Sequence, residues 1–455
     1  MWGGTIERNQ VNLVEKGIPE RWNPETKENI RWVADLGSRS YGNTIVAGGK
    51  VYVGTNNERE RNPKIKGDKG VMMCFRESDG AFLWQAVHDK LPAGRVNDWP
   101  EEGICSSPCV EGNRVYYVSN RCELICADVE GFLDGENDGP FTQEKYQDKI
   151  DGDFIWVLDM MEELTVFPHN LATSSPLVVG DLIFLLTSNG VDESHIEIPQ
   201  PDAPSFIAVN KNTGKVLWED RSPDGKILHG QWSSPCYGLV AGRPQVIYAG
   251  GDGWVRSFEP QSGKPIWQFD CNPKDAKYEL GGKGTRSYII ATPVLNGDHV
   301  FIAVGQDPEH GEGIGHLNSI DATKTGDITQ SGRTWHFGHF GNRDYGRTMS
   351  SVAVKDGLVY AADLSGFLYC LDQKTGVPFW VHDTLAEIWG SPTVIDGKVF
   401  LGTQDGDVLV FREGKELKLL ATNPMASAVS GTPVAAHGVL YVANRTKLFA
   451  IAAKS

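Results

Sequence analysis

Hydrophobic and polar residues alternate in short runs along almost the whole chain, and one run recurs. Each copy begins with two small residues and usually a proline, passes through a glycine-containing turn and ends in alternating Val, Ile, Tyr and Phe. The clearest copies are "SSPCVEGNRVYYVS" (106–119), "SSPLVVGDLIFLLT" (174–187), "ATPVLNGDHVFIAV" (291–304), "SSVAVKDGLVYAAD" (350–363), "GSPTVIDGKVFLGT" (390–403) and "GTPVAAHGVLYVAN" (431–444). This period of two around a glycine turn predicts a β-hairpin at each copy.

A second recurring phrase follows the hairpins. A third strand such as "FLYCLD" (367–372) leads to a turn and then to a strand that carries a tryptophan, as in "NTGKVLW" (212–218), "QSGKPIW" (261–267) and "KTGVPFW" (374–380). Four antiparallel strands at a period of roughly 40–70 residues predict the blade of a β-propeller. Helix signals are nearly absent, and we expect one short helix at 142–149.

The fourth strands, most of which carry a tryptophan, give the number of blades. The tryptophans are Trp32, Trp84, Trp156, Trp218, Trp267, Trp335 and Trp380, and "LKLLATN" (417–423) keeps an eighth place without a tryptophan. The strand at 30–37 has no strands before it, and the segment 429–455 supplies only three. We therefore predict an all-β fold, an eight-bladed propeller of four-stranded antiparallel blades, in which the N-terminal strand joins the last blade and closes the ring. The tryptophans are interpreted as structural clips between blades.

The predicted domain organisation follows from this count. Residues 1–29 form an N-terminal extension that packs on the propeller, and residues 30–455 form a single propeller with an insertion at 128–154.

The composition and the N-terminal sequence limit which classes of partner and which cellular compartment are expected. The formal net charge is −16, which disfavours nucleic acid or an anionic membrane as the main partner. No run of about 18 apolar residues is present, so we predict no membrane span. The start "MWGGTIERNQ" lacks a basic stretch followed by an apolar one, so it is not a signal peptide. Either the protein is cytoplasmic or a targeting segment was removed before this numbering begins.

The eight cysteines are interpreted through the repeat. Cys74, Cys126 and Cys370 share a third-strand position, and Cys109 and Cys236 both follow "SSP", so these five are expected to be buried, reduced core residues. Cys105 and Cys122 belong to the second blade and are candidates for a disulfide. The sequence contains no C-x-x-C, which disfavours a zinc ribbon or covalent haem.

Strand parity sorts the connections between the two faces of the disc. The loops between second and third strands, and those between blades, lie on one face and are long; we call it the long-loop face. Function usually resides where long loops gather on a rigid scaffold. This face collects most of the histidines and two tryptophans, at 232 and 389, that are placed to stack on a flat group near the central channel. The predicted binding face comprises Trp99, His169, His195, His229, Trp232, Arg286, Asp307, His310, Arg347 and Trp389.

The insertion carries a candidate metal site. In "DGENDG", Asp134, Glu136 and Asp138 precede Gly139 with the spacing that begins a calcium loop. Lys145 stands where that loop requires a bidentate glutamate, so an acidic surface turn is the alternative. Calcium is the one cofactor for which the sequence offers ligands.

The plan "SSPxVxGxxVY…LxxLDxxTGxxxW" resembles the bacterial quinoprotein-type, or PQQ-like, β-propeller repeat over about residues 30–455. The family includes quinoprotein alcohol dehydrogenases and the BamB-like propellers of outer-membrane protein assembly, which carry no quinone. The resemblance implies export, to the periplasm or the extracellular space. Quinoprotein dehydrogenases hold pyrroloquinoline quinone with a metal ion and a carboxylate base, often beside a disulfide of adjacent cysteines. No adjacent cysteines occur here and "RDYG" (343–346) matches a catalytic stretch only weakly, so the sequence does not support this quinone.

Two function classes follow. The first is an exported, non-catalytic propeller that binds a protein or cell-envelope component through its long-loop face. The alternative is an enzyme, either a quinone- or metal-dependent oxidoreductase or a carbohydrate-active propeller. Fold alone does not decide between them.

Overall fold

The computed structural model describes residues 1–311 and 313–453 and contains eight four-stranded antiparallel sheets arranged as blades. Their strands, from the channel outwards, are as follows: blade 1, Ile45–Ala47, Lys50–Asn56, Lys69–Arg76, Phe82–Asp89; blade 2, Cys109–Glu111, Arg114–Val118, Glu123–Asp128, Phe154–Asp159; blade 3, Leu177–Val179, Leu182–Leu186, Phe206–Asn210, Val216–Asp220; blade 4, Cys236–Val240, Arg243–Ala249, Trp254–Phe258, Pro265–Asp270; blade 5, Val294–Asn296, His299–Val304, His316–Asp321, Arg333–Phe337; blade 6, Ala353–Lys355, Leu358–Ala362, Phe367–Asp372, Pro378–Asp383; blade 7, Thr393–Ile395, Lys398–Gly402, Asp407–Arg412, Leu419–Pro424; blade 8, Val434–Ala436, Val439–Ala443, Lys447–Ile451, Ile30–Asp35.

Shorter elements decorate this ring. Val11–Asn12 pairs in parallel with the inner strand of blade 7, Gly326–Asp327 pairs with the outer strand of blade 4, and His339–Phe340 pairs with Arg343–Asp344. The helices are Met160–Leu164 and the 3₁₀ turns Gly94–Val96, Gly131–Leu133, Leu280–Gly282 and Pro308–His310. Among the described residues no helix is long and apolar enough to cross a bilayer.

The expected closure of the ring is confirmed. The strand Ile30–Asp35 pairs antiparallel with Lys447–Ile451, so that Val33 faces Phe449. One blade is therefore built from both ends of the described chain, and the edge of Lys447–Ile451 that would otherwise be open is paired.

The seven tryptophans of the outer strands are buried, and six of them bond to the next blade. The indole N–H of Trp335 in blade 5 donates to the carbonyl oxygen of Gln373 in blade 6 at 2.9 Å. All but one of the repeated tryptophans make the equivalent bond; Trp267 instead donates to Gln245 within its own blade.

The glycine of the "TG" turn completes this contact. Gly376 has φ +71°, and a Cβ placed on it would lie 2.6 Å from the ring of Trp335. Gly80, Gly214 and Gly263 stand equally close to the tryptophan of the preceding blade. The recurring turn thus needs glycine both for its left-handed backbone and for the room that the neighbouring indole takes.

The second small residue of each "SSP" start forms a hydrogen-bonded belt around the channel. In seven of the eight blades its backbone N–H donates to the side-chain oxygen at the same position of the next blade, as from Ser107 to Ser175 at 3.0 Å and from Ser391 to Thr432 at 3.0 Å. Asn43 links the last blade to the first. The residues of the belt are Asn43, Ser107, Ser175, Ser234, Thr292, Ser351, Ser391 and Thr432.

The first twelve residues of the N-terminal extension lie along the inner strands of the ring, and Ile18 and Trp22 pack against blade 7. The buried guanidinium of Arg8 donates to the carbonyl oxygens of Ser175 at 3.0 Å and Pro235 at 3.1 Å, just before the inner strands of blades 3 and 4. Further along, Asn9 bonds to Val354 and Asn12 donates to Ala435. These contacts follow the inner strands around the channel. The extension therefore closes the channel on the side of the tight first–second turns.

The structure differs from the sequence-based expectations at the segment 142–149 and at one pair of cysteines. No helix forms at 142–149; that segment runs beside the outer strand of blade 1, where Asp151 pairs with Gln85. All eight cysteines are free thiols, seven of them buried. The candidate disulfide between Cys105 and Cys122 is therefore not formed.

Candidate functional site

A cavity of about 540 Å³ opens at the channel on the long-loop face. We call it the channel-mouth cavity. Hydroxyls of the belt form its wall, Trp2 of the N-terminal extension also lines it, and side chains of the long loops form its rim. Because the extension closes the other side of the channel, this space is a pocket rather than a pore.

Three tryptophans of the predicted binding face line the channel-mouth cavity, and each is half-buried. Trp389 stacks on Tyr41 with ring centroids 5.7 Å apart. The guanidinium of Arg95 lies 4.2 Å from the ring centroid of Trp99. The indole N–H of Trp232 donates to the carbonyl oxygen of Leu171 at 3.0 Å. The rings are thus fixed in place while part of their surface stays open.

The charged groups of the cavity are mostly acidic. Arg39 is paired with Glu102 and lies 3.5 Å from Glu101. Burial raises the pKa of Glu102. Burial and the Glu102 charge also raise the pKa of Tyr41 to about 12. Asp307 and Glu309 line the same space. The one arginine of the lining is therefore already neutralised by a carboxylate.

Next to this cavity, loops of blades 3 and 4 bring three histidines together. The Nε2 atom of His195 lies 3.2 Å from the Nε2 atom of His169 and 3.2 Å from that of His229. His169 and His229 are buried, with 1% and 0% of their surface exposed, whereas His195 is half-buried. We call these residues the histidine triad. It is reached from solvent through His195.

Hydrogen bonds fix the other nitrogens of the triad. The Nδ1 atom of His169 lies 2.8 Å from the carbonyl oxygen of Val191, which only accepts, so Nδ1 carries the proton. The Nδ1 atom of His229 lies 3.2 Å from a carboxylate oxygen of Asp307, which can only accept, and 3.2 Å from the hydroxyl of Tyr288. The carboxylate places the proton of this ring on Nδ1. Burial and the nearby His229 lower the pKa of His169 to about 3. His169 is therefore a neutral imidazole whose Nε2 lone pair faces its neighbours.

Asp307 and His310 form a supporting pair behind His229. The Nδ1 atom of His310 lies 3.0 Å from Asp307 and its Nε2 donates to the carbonyl oxygen of Gly281 at 2.6 Å. Burial alone would raise the pKa of Asp307, but the hydrogen bonds from His229 and His310 hold it well below its usual range. Against the effect of burial, Asp307 raises the pKa of His310. Both ring nitrogens of His310 are thus engaged as donors.

The remaining predicted residues have supporting positions. Arg286 makes a two-armed ion pair with Asp270, at 2.8 and 3.1 Å, and does not line the cavity. Arg347 donates to the backbone oxygen of His310 at 2.8 Å. Trp232 connects the two parts of the site, because its ring lines the cavity and lies 5.1 Å from the ring of His229.

The acidic insertion at 128–154 contributes no residue to the channel-mouth cavity or the histidine triad. Carboxylate oxygens of Asp134 and Asp138 gather with one of Asp128, all within 4.8 Å of one another. Glu136 is exposed and is not part of this group. The calcium site stays a prediction, with Asp128 in the position that the sequence assigned to Glu136.

Several residues of the site were missed from the sequence. Trp2 precedes the first repeat signal, and Arg39 and Tyr41 lie in the irregular connection between Ile30–Asp35 and Ile45–Ala47. Tyr288, whose hydroxyl lies 3.2 Å from both His229 and His310, is the last residue of the loop 271–288, which the sequence placed on the long-loop face without singling out this side chain. The belt could have been found, since its residues repeat the second position of "SSP".

Comparisons with known proteins agree with this architecture. The family model described as outer membrane protein assembly factor BamB matches residues 146–308 and 251–455. No curated protein matches the chain. The solved structure of BamB from Moraxella catarrhalis is similar with a TM-score of 0.60 and 14% identity, over 92% of this chain and 98% of that one. Quinohemoprotein alcohol dehydrogenase from Comamonas testosteroni gives a TM-score of 0.65 at 12% identity, over 100% and 80%. At these identities the structural likeness concerns the fold.

Proposed function

Since the chain belongs to the family of the outer membrane protein assembly factor BamB, we propose that it is a binding module that receives a protein partner on its long-loop face. The observation that carries this proposal is the channel-mouth cavity, a closed-ended pocket with three part-open tryptophans at its rim. We further propose that it works outside the cytoplasm, as BamB-like and PQQ-like propellers typically do.

The chemistry of the rim suits a protein partner. Partly open aromatic rings that are already held in place are the anchors on which interfaces concentrate their binding energy. Trp232 and Trp389 need no reordering on binding, because each has a fixed neighbour. A space of about 540 Å³ suits a loop tip or a few side chains of the partner rather than a whole strand.

The pocket does not fit pyrroloquinoline quinone, the cofactor of the quinoprotein dehydrogenases. That quinone carries three carboxylates and requires cations around them. The lining offers Arg39, which already pairs with Glu102, together with the carboxylates of Asp307 and Glu309. Placing a tricarboxylate among these groups costs electrostatic and desolvation energy. The proposed function therefore includes no quinone step.

Site-specific photocrosslinking in the producing cells tests the proposal. A photoreactive residue at Trp389 or Trp99 should capture a discrete protein partner. The matched control is Val377, which is 60% exposed in a tight turn of the opposite face. Capture from position 377 alone, or from Glu136 in the insertion, would move the partner to the other face and contradict the proposal.

A further inference from the structure

The histidine triad has more lone pairs than protons to satisfy them. The Nε2 atoms of His169 and His229 carry lone pairs, because in each ring Nδ1 holds the proton for Val191 or Asp307. The Nε2 atom of His195 lies 3.2 Å from both. The Nε2 atom of His195 can carry one proton and donate it to one of these neighbours. In the other close contact two nitrogen lone pairs then face each other, which is repulsive. A cation at the centre removes this conflict.

The spacing of the three nitrogens suits a metal ion. Two imidazole nitrogens at the usual zinc distance of about 2.0–2.1 Å and at a tetrahedral angle lie about 3.3–3.4 Å apart. The two measured Nε2 separations are 3.2 Å. Two of the three separations are thus already within about 0.2 Å of the value that such an ion requires, and the ligand atoms of all three histidines lie within 4.8 Å of one another.

The surroundings resemble the outer shell of a metal centre. A ligating histidine normally donates its other N–H to a carbonyl or a carboxylate, which orients the ring and raises its basicity. His169 donates to the Val191 carbonyl, and His229 donates to Asp307. Asp307 is held in turn by His310. His310 itself is not a ligand, because both of its nitrogens are occupied.

We propose that His169, His195 and His229 bind one divalent transition-metal ion through their Nε2 atoms. Imidazole ligands suit zinc, copper, iron and nickel, and three histidines with one open position are an arrangement that binds zinc, so zinc is the ion chosen for the test. Three protein ligands leave the fourth position of a tetrahedral ion for water or for a donor atom of a bound molecule. The half-buried His195 gives solvent and ligands access to that position.

Metal uptake is measured without any knowledge of the partner, so this inference and the proposed function fail separately. Chelator-treated protein is dialysed against zinc chloride and the bound metal is counted by elemental analysis. Wild-type protein should retain one zinc ion per chain. His195→Ala should weaken zinc binding at least about 100-fold, since it removes a ligand whereas outer-shell changes typically cost 10–100-fold. The control His382→Ala removes a histidine that is also half-buried but lies against Phe411, and should bind zinc like wild type.

Cobalt substitution separates a ligand from a structural residue. Wild-type protein and His310→Gln should both give the visible spectrum of tetrahedral cobalt, with affinity reduced about 10–100-fold in the variant. His195→Ala should lose that spectrum. X-ray absorption on zinc-loaded wild-type protein should report three nitrogen neighbours at about 2.0–2.1 Å, a readout that does not depend on how any variant folds. Wild-type protein without stoichiometric zinc, or His195→Ala with unchanged affinity, would overturn the proposal.

Discussion

The contact between a turn glycine and the tryptophan of the preceding blade gives a quantitative test of how the ring is held. Gly376 is buried, has φ +71°, and a Cβ at this position would lie 2.6 Å from the Trp335 ring. Gly376→Ala should therefore lower the free energy of unfolding by two contributions. The left-handed backbone costs alanine about 1–2 kcal/mol, and forcing an extra carbon into a packed contact costs about 1–3 kcal/mol.

A second glycine of the same blade isolates the backbone contribution. Gly357 has φ +80°, and a Cβ there would meet nothing within 4 Å. Gly357→Ala should cost only the backbone contribution of about 1–2 kcal/mol. The difference between the two variants is the steric contact with Trp335, about 1–3 kcal/mol.

Urea unfolding followed by circular dichroism measures both variants against wild type, with stability obtained by linear extrapolation. The comparison requires equal slopes, since a changed slope would report a change in the unfolded or native ensemble instead. Equal destabilisation of the two variants would refute the reasoning, because it would mean that the indole moves aside at no cost.

Three further predictions concern the insertion and the thiols. Calcium should raise the melting temperature of wild-type protein and of Glu136→Gln but not that of Asp138→Asn. At a calcium concentration of 100 times the dissociation constant the added stability should be about 2.7 kcal/mol. An unchanged melting curve in wild type would show that calcium does not bind there. In calcium-free buffer the contribution of Asp153 to stability should fall as the pH rises from about 4 towards 6, because burial and the charges of Glu144, Asp138 and Asp128 raise the pKa of Asp153 to about 6 and the folded state loses a tightly held proton in that window. The melting temperature of Asp153→Asn relative to wild type should therefore rise over the same window, and a difference that does not change with pH would contradict the assignment. Thiol counting under denaturing, non-reducing conditions should find at least five free cysteines, since all eight are free in the structure; fewer than four would show that the repeat argument for their burial fails.

The ring itself could be predicted because its determinants repeat. The indole of Trp335 and the turn at Gly376 recur with the same neighbours in other blades, so one interpretation covers all of them. The prediction of a short helix at 142–149 was wrong, because polar side chains of this segment form hydrogen bonds with the outer strands of blades 1 and 2. Tyr146 donates to Asp89 at 3.1 Å, and Glu144 accepts from the backbone N–H of Phe154.

The site could be predicted only as a set of residues that share a face. The meeting of His169, His195 and His229 depends on irregular loop backbone, including a left-handed residue at His195 itself with φ +59°. No period in the sequence encodes such a conformation. Arg286 was placed on the binding face by its loop, but its ion pair with Asp270 could not be read from the spacing of the two residues.

The pairing of Ile30–Asp35 with Lys447–Ile451 also constrains how the molecule can fold. It joins segments from nearly opposite ends of the described chain, and closing so long a loop costs chain entropy before the contact stabilises anything. Blades 1 to 7 each complete their four strands locally, so they can form while the ring is still open. Until the closing strand docks, the three strands of blade 8 expose an edge that can pair with another chain. The slow step of folding and the step most prone to aggregation should therefore be the same event, the docking of six residues onto the last blade.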